Sequence, residues 1–211
     1  MRGRVRAQAA SGYRGSVQST EWNPEPRDQR PLPDGVELRE PTPQDAPAWA
    51  MFLVEEQQRT YGGRLPDDFA VRGLAQANVV GLARAFGDPR KRAAERRIAW
   101  HDGRVVGVAS TSAAPAAWEE ELGLVPPPAD RELDRLYVHA DMHGTGLGAA
   151  LFDAVVDARA LYLWLIDGND RAARFYERRG FHHLDEQVET GPTWGSIPMH
   201  RMLRPERSPL R

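Results

Sequence analysis

The stretch that decides the fold is LYVHADMHGTGLGAALFDAV, residues 136–155. It opens on a short apolar run typical of a β-strand and closes on a longer run with helical spacing. Between the two lie three glycines at alternate positions, Gly144, Gly146 and Gly148. A strand that passes through glycines into a helix presents backbone N–H groups and the positive end of the helix dipole to one point. The stretch therefore predicts a turn that binds phosphate.

This turn alone fits more than one kind of nucleotide site. The letters GTGLGA also satisfy the G-x-G-x-x-A pattern of dinucleotide-binding folds, and Asp167 stands where such a fold places a ribose-binding acid. Against this alternative, residues 139–143 separate the strand from Gly144, whereas a dinucleotide fold turns almost at once. The sequence after Asp167 is also too short to complete a six-stranded domain.

The composition excludes several other chemistries. The chain has no cysteine, which removes disulfides, thiolate metal sites and a cysteine nucleophile. Lys91 is the only lysine, so a GK[ST] phosphate loop cannot be present. The formal net charge of −2 provides no basic field for a nucleic acid, and no apolar run approaches the roughly 20 residues of a membrane span. A cytoplasmic protein without nucleic-acid or membrane partners is expected.

The chain divides into one domain and two tails. Prolines and the lack of periodicity predict a disordered N-terminal tail over residues 1–34, a single domain over residues 35–205 and a second tail over residues 206–211.

The first half of the domain mixes helices with strands. After a strand in GVELRE, apolar spacing predicts a helix over about residues 46–58, with Asp45 as its N-cap, and a second helix between residues 66 and 86. Asp-Gly at residues 102–103 predicts a tight hairpin between two strands. The proline-rich residues 114–130 are expected to form a surface loop with at most one helical turn.

The second half supplies the rest of the sheet. From Arg131 the order is strand, glycine turn, helix to about Arg159, the strand LYLWLI, the helix DRAARFYERR and closing strands in HHLDEQVE and SIPMHRML. The complete order, β-α-α-β-β-β-α-β-α-β-β, predicts a layered α/β sheet whose fourth and fifth strands are parallel, because a helix crosses between them.

With these elements in place, the sequence resembles the GNAT superfamily of acetyl-CoA-dependent N-acetyltransferases, most strongly over residues 131–181. The family's phosphate loop, Arg/Gln-x-x-Gly-x-Gly/Ala, is matched by residues 143–148, with His143 in place of the usual arginine or glutamine. The block GNDRAARFYERRGF is similar to a second family signature, Asn-x-x-Ala-x-x-Phe-Tyr-x-x-x-Gly-Phe. This signature is carried by Asn169, Ala172, Phe175, Tyr176, Gly180 and Phe181.

The resemblance implies a mixed, mostly antiparallel twisted sheet, flanked by helices, with splayed parallel strands 4 and 5 and acetyl-CoA as cosubstrate between them. It also implies that Asn169 holds the pantetheine arm. The residues expected to bind acetyl-CoA are Leu136, Tyr137, Val138, His143, Gly144, Thr145, Gly146, Leu147, Gly148, Asn169, Ala172 and Tyr176.

Three residues are candidates for acid–base catalysis. Tyr176, with a reference pKa of about 10, can give a proton to a thiolate that leaves at a pKa of about 8.5. Glu132 and Asp134 lie two residues apart on a strand and so project to one face, where either is a candidate base, directly or through a water. Simpler roles are also open: helix packing for Tyr176 and a solvated strand face for the two acids.

Other side chains carry weaker signals. His143 either caps the loop or is a cation beside phosphate. The histidines at residues 182–183 lack partners at metal-ligand spacing, so no metal site is predicted. Trp164 is expected in the core, whereas Trp118 and Trp194 lie in predicted loops and are candidates for walls of an acceptor pocket.

The sequence thus predicts an acyltransferase that moves an acetyl group from acetyl-CoA to a primary amine of a small molecule by direct transfer in a ternary complex. A non-catalytic acyl-CoA sensor and a dinucleotide-dependent oxidoreductase are the alternatives, and a homodimer is compatible with the sequence. Acidic residues outnumber arginines between residues 113 and 135. They predict a negative rim that favours a cationic acceptor such as a polyamine or an amino sugar.

Overall fold

The computed structural model of the protein describes residues 31–88 and 96–207. Most of the predicted N-terminal tail, Lys91 and the last four residues lie outside these ranges. Within them, no helix is long and apolar enough to cross a membrane.

The described residues form six α-helices and eight β-strands. The helices are α1 (Ala46–Tyr61), α2 (Phe69–Gln76), α3 (Val79–Gly87), α4 (Ala117–Glu121), α5 (Leu147–Val155) and α6 (Asp170–Glu177). The strands are β1 (Val36–Arg39), β2 (Arg96–His101), β3 (Arg104–Ala113), β4 (Arg131–Val138), β5 (Leu161–Ile166), β6 (His182–His183), β7 (Val188–Glu189) and β8 (Pro198–Arg204).

All the strands belong to one mixed sheet. Its order is β1-β2-β3-β4-β5-β8-β6, and β7 also pairs with β8. The β4–β5 pair is parallel, and the other pairs are antiparallel. The predicted mixed sheet with a parallel fourth and fifth strand is therefore confirmed. A dinucleotide-binding domain needs a mostly parallel sheet, so this topology removes the oxidoreductase alternative.

The hairpin between β2 and β3 forms as predicted. Asp102 and Gly103 have φ angles of 49° and 72°, and His101 pairs with Arg104 on either side of them. Positive φ at both central residues is what a two-residue turn of this hand requires, and glycine meets it without strain.

Helix ends differ from the prediction in the first half of the domain. The helix expected between residues 66 and 86 is two helices, because the Asn78 side chain accepts a hydrogen bond from the Gly81 N–H at 2.8 Å and starts a new helix. Asp45 precedes α1 as expected, but its carboxylate does not cap α1. It accepts hydrogen bonds from the Thr42 N–H at 2.6 Å and from Arg39, and so caps the short 3-10 turn Pro43–Asp45.

The sheet has a hydrophobic cluster on each face. On one face α5 and α6 pack against the central strands, with Leu147, Phe152 and Leu163 almost fully buried. On the other face α1 and α3 cover Ile98 and Val108. These two layers hold β4 and β5 from both sides.

The two central strands separate along their length. Glu132 lies opposite Tyr162 near the start of both strands. In the β3–β4 pair, Ser112 lies opposite Glu132 and Ser110 opposite Arg135, so β4 carries one more residue than β3 over this span. An extra residue of this kind is a β-bulge, which bends the strand that carries it. Beyond the bulge a cleft opens between β4 and β5.

Candidate active site

The gap between β4 and β5 is a cavity of about 580 Å³, which we call the central cleft. The residues that line it come from both strands, the glycine turn, α6 and the end of α1. The predicted site residues that line it are Asp134, Leu136, Tyr137, Val138, His143, Gly144, Gly146, Gly148, Asn169, Ala172 and Tyr176. Glu132, Thr145 and Leu147 are not among its lining residues.

The glycine turn presents free donors at one end of the central cleft. Gly144 and Gly146 have φ angles of 80° and 93°, a conformation that L side chains rarely adopt. Among the described residues, no backbone acceptor pairs with the N–H groups of residues 144–148. The Thr145 hydroxyl stabilises the turn because it donates a hydrogen bond to the Met142 carbonyl at 2.8 Å. The Leu147 N–H donates to the Thr145 hydroxyl oxygen at 3.4 Å. The four other N–H groups of residues 144–148 have no partner in the described part of the chain and make a site for an anion at the start of α5.

His143 is held in this turn as a neutral ring. Its Nε2 lies 2.9 Å from the Val138 carbonyl oxygen, and its Nδ1 contacts the Arg171 guanidinium. A carbonyl only accepts and a guanidinium only donates, so Nε2 carries the proton and Nδ1 carries none. Burial, reinforced by the charge of Arg171, holds the pKa of His143 below its ordinary value.

Next to the glycine turn, Arg171 supplies a cation to the wall of the central cleft, one position after the start of α6. Of the two roles predicted for His143, positioning the turn fits its neutral ring, and that of a cation does not. Arg171 was not among the site residues that the sequence predicted. The signal that could have found it is the arginine that follows Asp170 in GNDRAARFY, on the first turn of a helix that faces the glycine loop.

Tyr176 lies in the cleft wall with 9% of its surface exposed. Burial raises the pKa of its hydroxyl above the ordinary value, and the nearby hydroxyls of Tyr61 and Tyr137 raise it further. The hydroxyl therefore keeps its proton at neutral pH and is available as a donor.

Tyr61, at the end of α1, also lines the central cleft and was not predicted as a site residue. Its hydroxyl oxygen accepts a hydrogen bond from the Asn169 Nδ2 at 2.9 Å. The Asn169 Oδ1 meanwhile accepts from the Ala172 N–H at 3.2 Å and caps α6. Asn169 thus ties α1 to the helix that carries Tyr176, and Tyr61 is left with its own O–H to donate.

The two candidate bases are placed differently. Asp134 lines the central cleft, and its Oδ1 accepts a hydrogen bond from the Ser110 hydroxyl at 2.8 Å. Glu132 is 7% exposed. Burial raises the pKa of its carboxyl to about 7, and the charges of Asp134 and Glu119 add to this effect. The register shift of the β4 bulge lies between Glu132 and Arg135. The prediction that Glu132 and Asp134 project to one face assumed a regular strand without a bulge.

A second cavity of about 560 Å³ lies between α1, α2, α3 and the sheet. Asp134 lines this second cavity as well as the central cleft, so the two spaces adjoin at this residue. Trp194 lines it, packed against Phe69 at 5.0 Å between ring centroids. Trp118, the other predicted wall, instead packs on Trp164 at 5.1 Å, and Trp164 lines the central cleft.

The acidic segment between β3 and β4 is more than a surface loop. Glu119 of α4 is fully buried, where it accepts hydrogen bonds from the Tyr162 hydroxyl at 2.6 Å and the Trp164 indole at 3.0 Å. The Arg201 guanidinium lies 3.7 Å away. Glu119 therefore anchors α4 to the sheet and adds nothing to an exposed negative rim, so the expected rim loses one of its acids.

Two histidines form a chain of polar contacts next to the sheet. His200 Nε2 lies 2.7 Å from His183 Nδ1, and its Nδ1 lies 2.6 Å from an Asp167 oxygen. In residues 31–88 and 96–207, no group of three or more histidine or acidic side chains is arranged to hold a metal ion.

Sequence comparisons agree on one family. The model of the family described as "Acetyltransferase (GNAT) family" matches residues 38–181. An uncharacterized N-acetyltransferase of Mycobacterium tuberculosis is 37% identical over 100 residues, which are 44% of this chain and 54% of that protein. The chain thus spans about half the length of the curated relatives it matches.

Solved structures share the fold. The PaiA N-acetyltransferase of Thermoplasma acidophilum, in complex with coenzyme A, matches with a TM-score of 0.57 at 15% identity, over 81% of this chain and 98% of that chain. YncA of Salmonella typhimurium, with its cofactor acetyl-CoA, matches with a TM-score of 0.55 at 14% identity, over 83% and 96% of the two chains. At these identities the likeness concerns the fold, and it confirms the predicted architecture.

Proposed function

The chain belongs to the GNAT acetyltransferase family, and from this premise we propose that it moves an acetyl group from acetyl-CoA to the primary amine of a small molecule, by direct transfer in a ternary complex. The observation that carries the proposal is the position of Asp134. Asp134 is a lining residue of both the central cleft and the second cavity, so molecules bound in the two spaces would both be next to a residue that can accept a proton.

The residues of the central cleft fit acetyl-CoA as the first substrate. The N–H groups of residues 144–148 and the Arg171 guanidinium suit its pyrophosphate. A Cβ atom at Gly144 or Gly146 would project into open space, which is the space that a phosphate group needs. The backbone of Leu136, Tyr137 and Val138 is offered to the pantetheine arm along the edge of β4.

The chain's own residues then supply the two proton transfers. The C–S bond of the thioester breaks and a C–N bond forms, so the amine must lose a proton and the thiolate must gain one. We assign the first transfer to Asp134, directly or through a water, and the second to Tyr176, whose buried hydroxyl keeps its proton. Glu132 lies behind Asp134 and is assigned an indirect role.

The test is a screen of primary amines with acetyl-CoA that follows free thiol and amide product together. We expect stoichiometric thiol and amide with at least one amine, and a loss of about 10²- to 10⁴-fold in kcat/KM for Asp134→Asn. Glu132→Gln is the matched control, and its loss should be much smaller.

The sensor alternative has a separate outcome in the same experiment. If calorimetry shows that acetyl-CoA binds but no amine releases thiol, the protein is an acyl-CoA sensor and the proposed activity is wrong. Equal losses in the two variants would show that Asp134 is not the base.

A further inference from the structure

The charges around the second cavity are of one predominant sign. Arg72 of α2, Arg96 of β2 and Arg135 of β4 line it. Asp134 is the one carboxylate among the described residues that line the space. Glu119, which the sequence placed in an acidic rim, is buried elsewhere and paired. The electrostatic field inside the second cavity therefore attracts an anionic group.

Arg72 has a donor that the protein itself leaves unused. Its Nη2 pairs with Asp68 at 2.8 Å. Its Nε is buried and has no hydrogen-bond partner in the described part of the chain. A guanidinium carries five N–H donors, so the ion pair with Asp68 leaves Arg72 with terminal donors for a ligand carboxylate in the second cavity.

Arg135 brings a cation to the part of the wall that contains Asp134. It follows Asp134 directly on β4, its guanidinium contacts the Asp134 main-chain oxygen, and both residues line the second cavity. A residue that can accept a proton from an amine and a cation for a carboxylate are therefore neighbours in this wall. Their proximity suits a molecule in which the amine and the anionic group are separated by few bonds.

The remaining wall of the second cavity is apolar and aromatic. It is formed by side chains of α1, α2 and α3 together with Trp194, and includes Trp49, Leu53, Phe69 and Leu82. These surfaces gain free energy when they cover a hydrocarbon or aromatic group rather than water. An amino sugar offers little such surface, and a polyamine has methylene groups but no carboxylate for the arginines.

We infer that the second cavity binds the acceptor, and that this acceptor is an amine carrying a carboxylate close to its nitrogen and an apolar side chain, as in an apolar amino acid. The inference rests on the proposed function, because only a transferase has an acceptor. The binding of a carboxylate in the second cavity does not depend on that function. It replaces the cationic acceptor that the sequence predicted.

The experiment compares amino acids with their carboxamides, which differ in the carboxylate alone. A panel of the standard amino acids and the matching carboxamides is offered with acetyl-CoA, and kcat/KM is measured for thiol release. The amine of a carboxamide loses its proton more readily, so intrinsic reactivity favours the carboxamide, and a preference for the amino acid must come from the protein. We expect the best amino acid to be apolar and to exceed its carboxamide by about 10- to 100-fold, the range that one hydrogen bond to a charged group supplies.

Arg72→Gln should remove most of this preference, because kcat/KM should fall much further for the amino acid than for its carboxamide. Arg84→Gln is the matched control, because Arg84 is an exposed arginine of α3 that does not line the second cavity. The preference should survive in that variant. Equal rates for amino acids and carboxamides in the wild-type protein, or equal losses of preference in the two variants, would overturn the inference.

Calorimetry separates this inference from the proposed function. The same compounds are titrated into the protein saturated with coenzyme A. Binding of an amino acid but not of its carboxamide, with no thiol release in the assay, would leave the carboxylate site standing and remove the acetyltransferase activity. If no amino acid binds and none reacts, the inference is wrong.

Discussion

The central cleft and the second cavity meet at Asp134, but they are built from different parts of the chain. The cleft depends on backbone: the splayed edges of β4 and β5 and the N–H groups of the glycine turn, of which only that of Leu147 has a partner in the described residues. The second cavity depends on side chains contributed by α1, α2, α3 and the strands beneath them. A backbone site keeps its donors when side chains change, whereas a side-chain site changes with each substitution. Under the proposed function, the fold would therefore set the cosubstrate, and scattered side chains would set the acceptor.

The largest effect that would test this contrast is expected at Tyr176. Tyr176→Phe removes the hydroxyl assigned to the leaving thiolate and keeps the ring that packs against Phe181 at 5.5 Å. Loss of a general acid typically lowers turnover by about 10²- to 10⁴-fold, while acetyl-CoA affinity should stay nearly constant because the hydroxyl acts only in the chemical step. Steady-state kinetics with the best acceptor and calorimetry with acetyl-CoA measure the two quantities.

Tyr61→Phe is the comparison variant, because Tyr61 presents a second buried hydroxyl to the same cleft. We expect the loss of turnover to be far smaller than for Tyr176→Phe. If the two losses are reversed, the proton donor is Tyr61, and the sequence signature that names Tyr176 has pointed to the wrong tyrosine.

The next largest effect is expected at the glycine turn. Gly146→Val places a side chain on a residue with a φ angle of 93° and fills open space at the start of α5. Backbone strain of this kind costs about 1–3 kcal/mol. When the free turn relieves this strain by leaving the conformation that presents its N–H groups, acetyl-CoA affinity should fall by about 5- to 150-fold, with a larger loss if the side chain also blocks the phosphate. Isothermal titration of acetyl-CoA measures the affinity.

Gly103→Val separates strain from blocking. Gly103 has a φ angle of 72° and open space around its Cβ position, but it lies in the β2–β3 turn. The two variants should lose similar amounts of stability in urea, and acetyl-CoA affinity should fall in Gly146→Val alone. Unchanged affinity in a folded Gly146→Val protein would remove the turn from the cosubstrate site.

The contrast between backbone and side-chain sites also explains which parts of the structure the sequence predicts. The hairpin at Asp102–Gly103 and the glycine turn follow from local rules, since positive φ is demanded at particular residues. The break between α2 and α3 is also local, because Asn78 caps a new helix, but residues 66–86 are apolar enough throughout to suggest one helix.

The residues that line the second cavity could not be predicted from the sequence, because they share no local pattern. Arg72 and Arg135 come together only when α2 folds over β4. Glu119 belongs to an acidic run that is typical of a solvated segment, yet its partners, Tyr162 and Trp164, lie over 40 positions away. The local composition of the sequence therefore predicted negative charge around the acceptor, whereas tertiary contacts place mostly arginines among the charged residues of the second cavity.

The smallest effect on turnover, and a distinct effect on stability, is expected at Glu132. The pKa of its carboxyl is raised to about 7 from its ordinary value of 4.5, chiefly by burial. Well below pH 4.5 the carboxyl is protonated in both the folded and the unfolded chain, and it contributes no difference. As the pH rises towards 7, the unfolded chain releases the proton while the folded chain retains it, so the free energy of unfolding falls, and the loss is complete above about pH 7. A shift of this size corresponds to about 3 kcal/mol.

Glu132→Gln abolishes this titration, so the variant should gain stability relative to the wild type between pH 5 and pH 8, measured by urea unfolding at each pH. The pKa of Asp45, held to about 2 by its hydrogen bond to Arg39, cancels in the difference between the two proteins. A difference in stability that does not change between pH 5 and pH 8 would show that Glu132 ionises with its ordinary pKa in the folded protein.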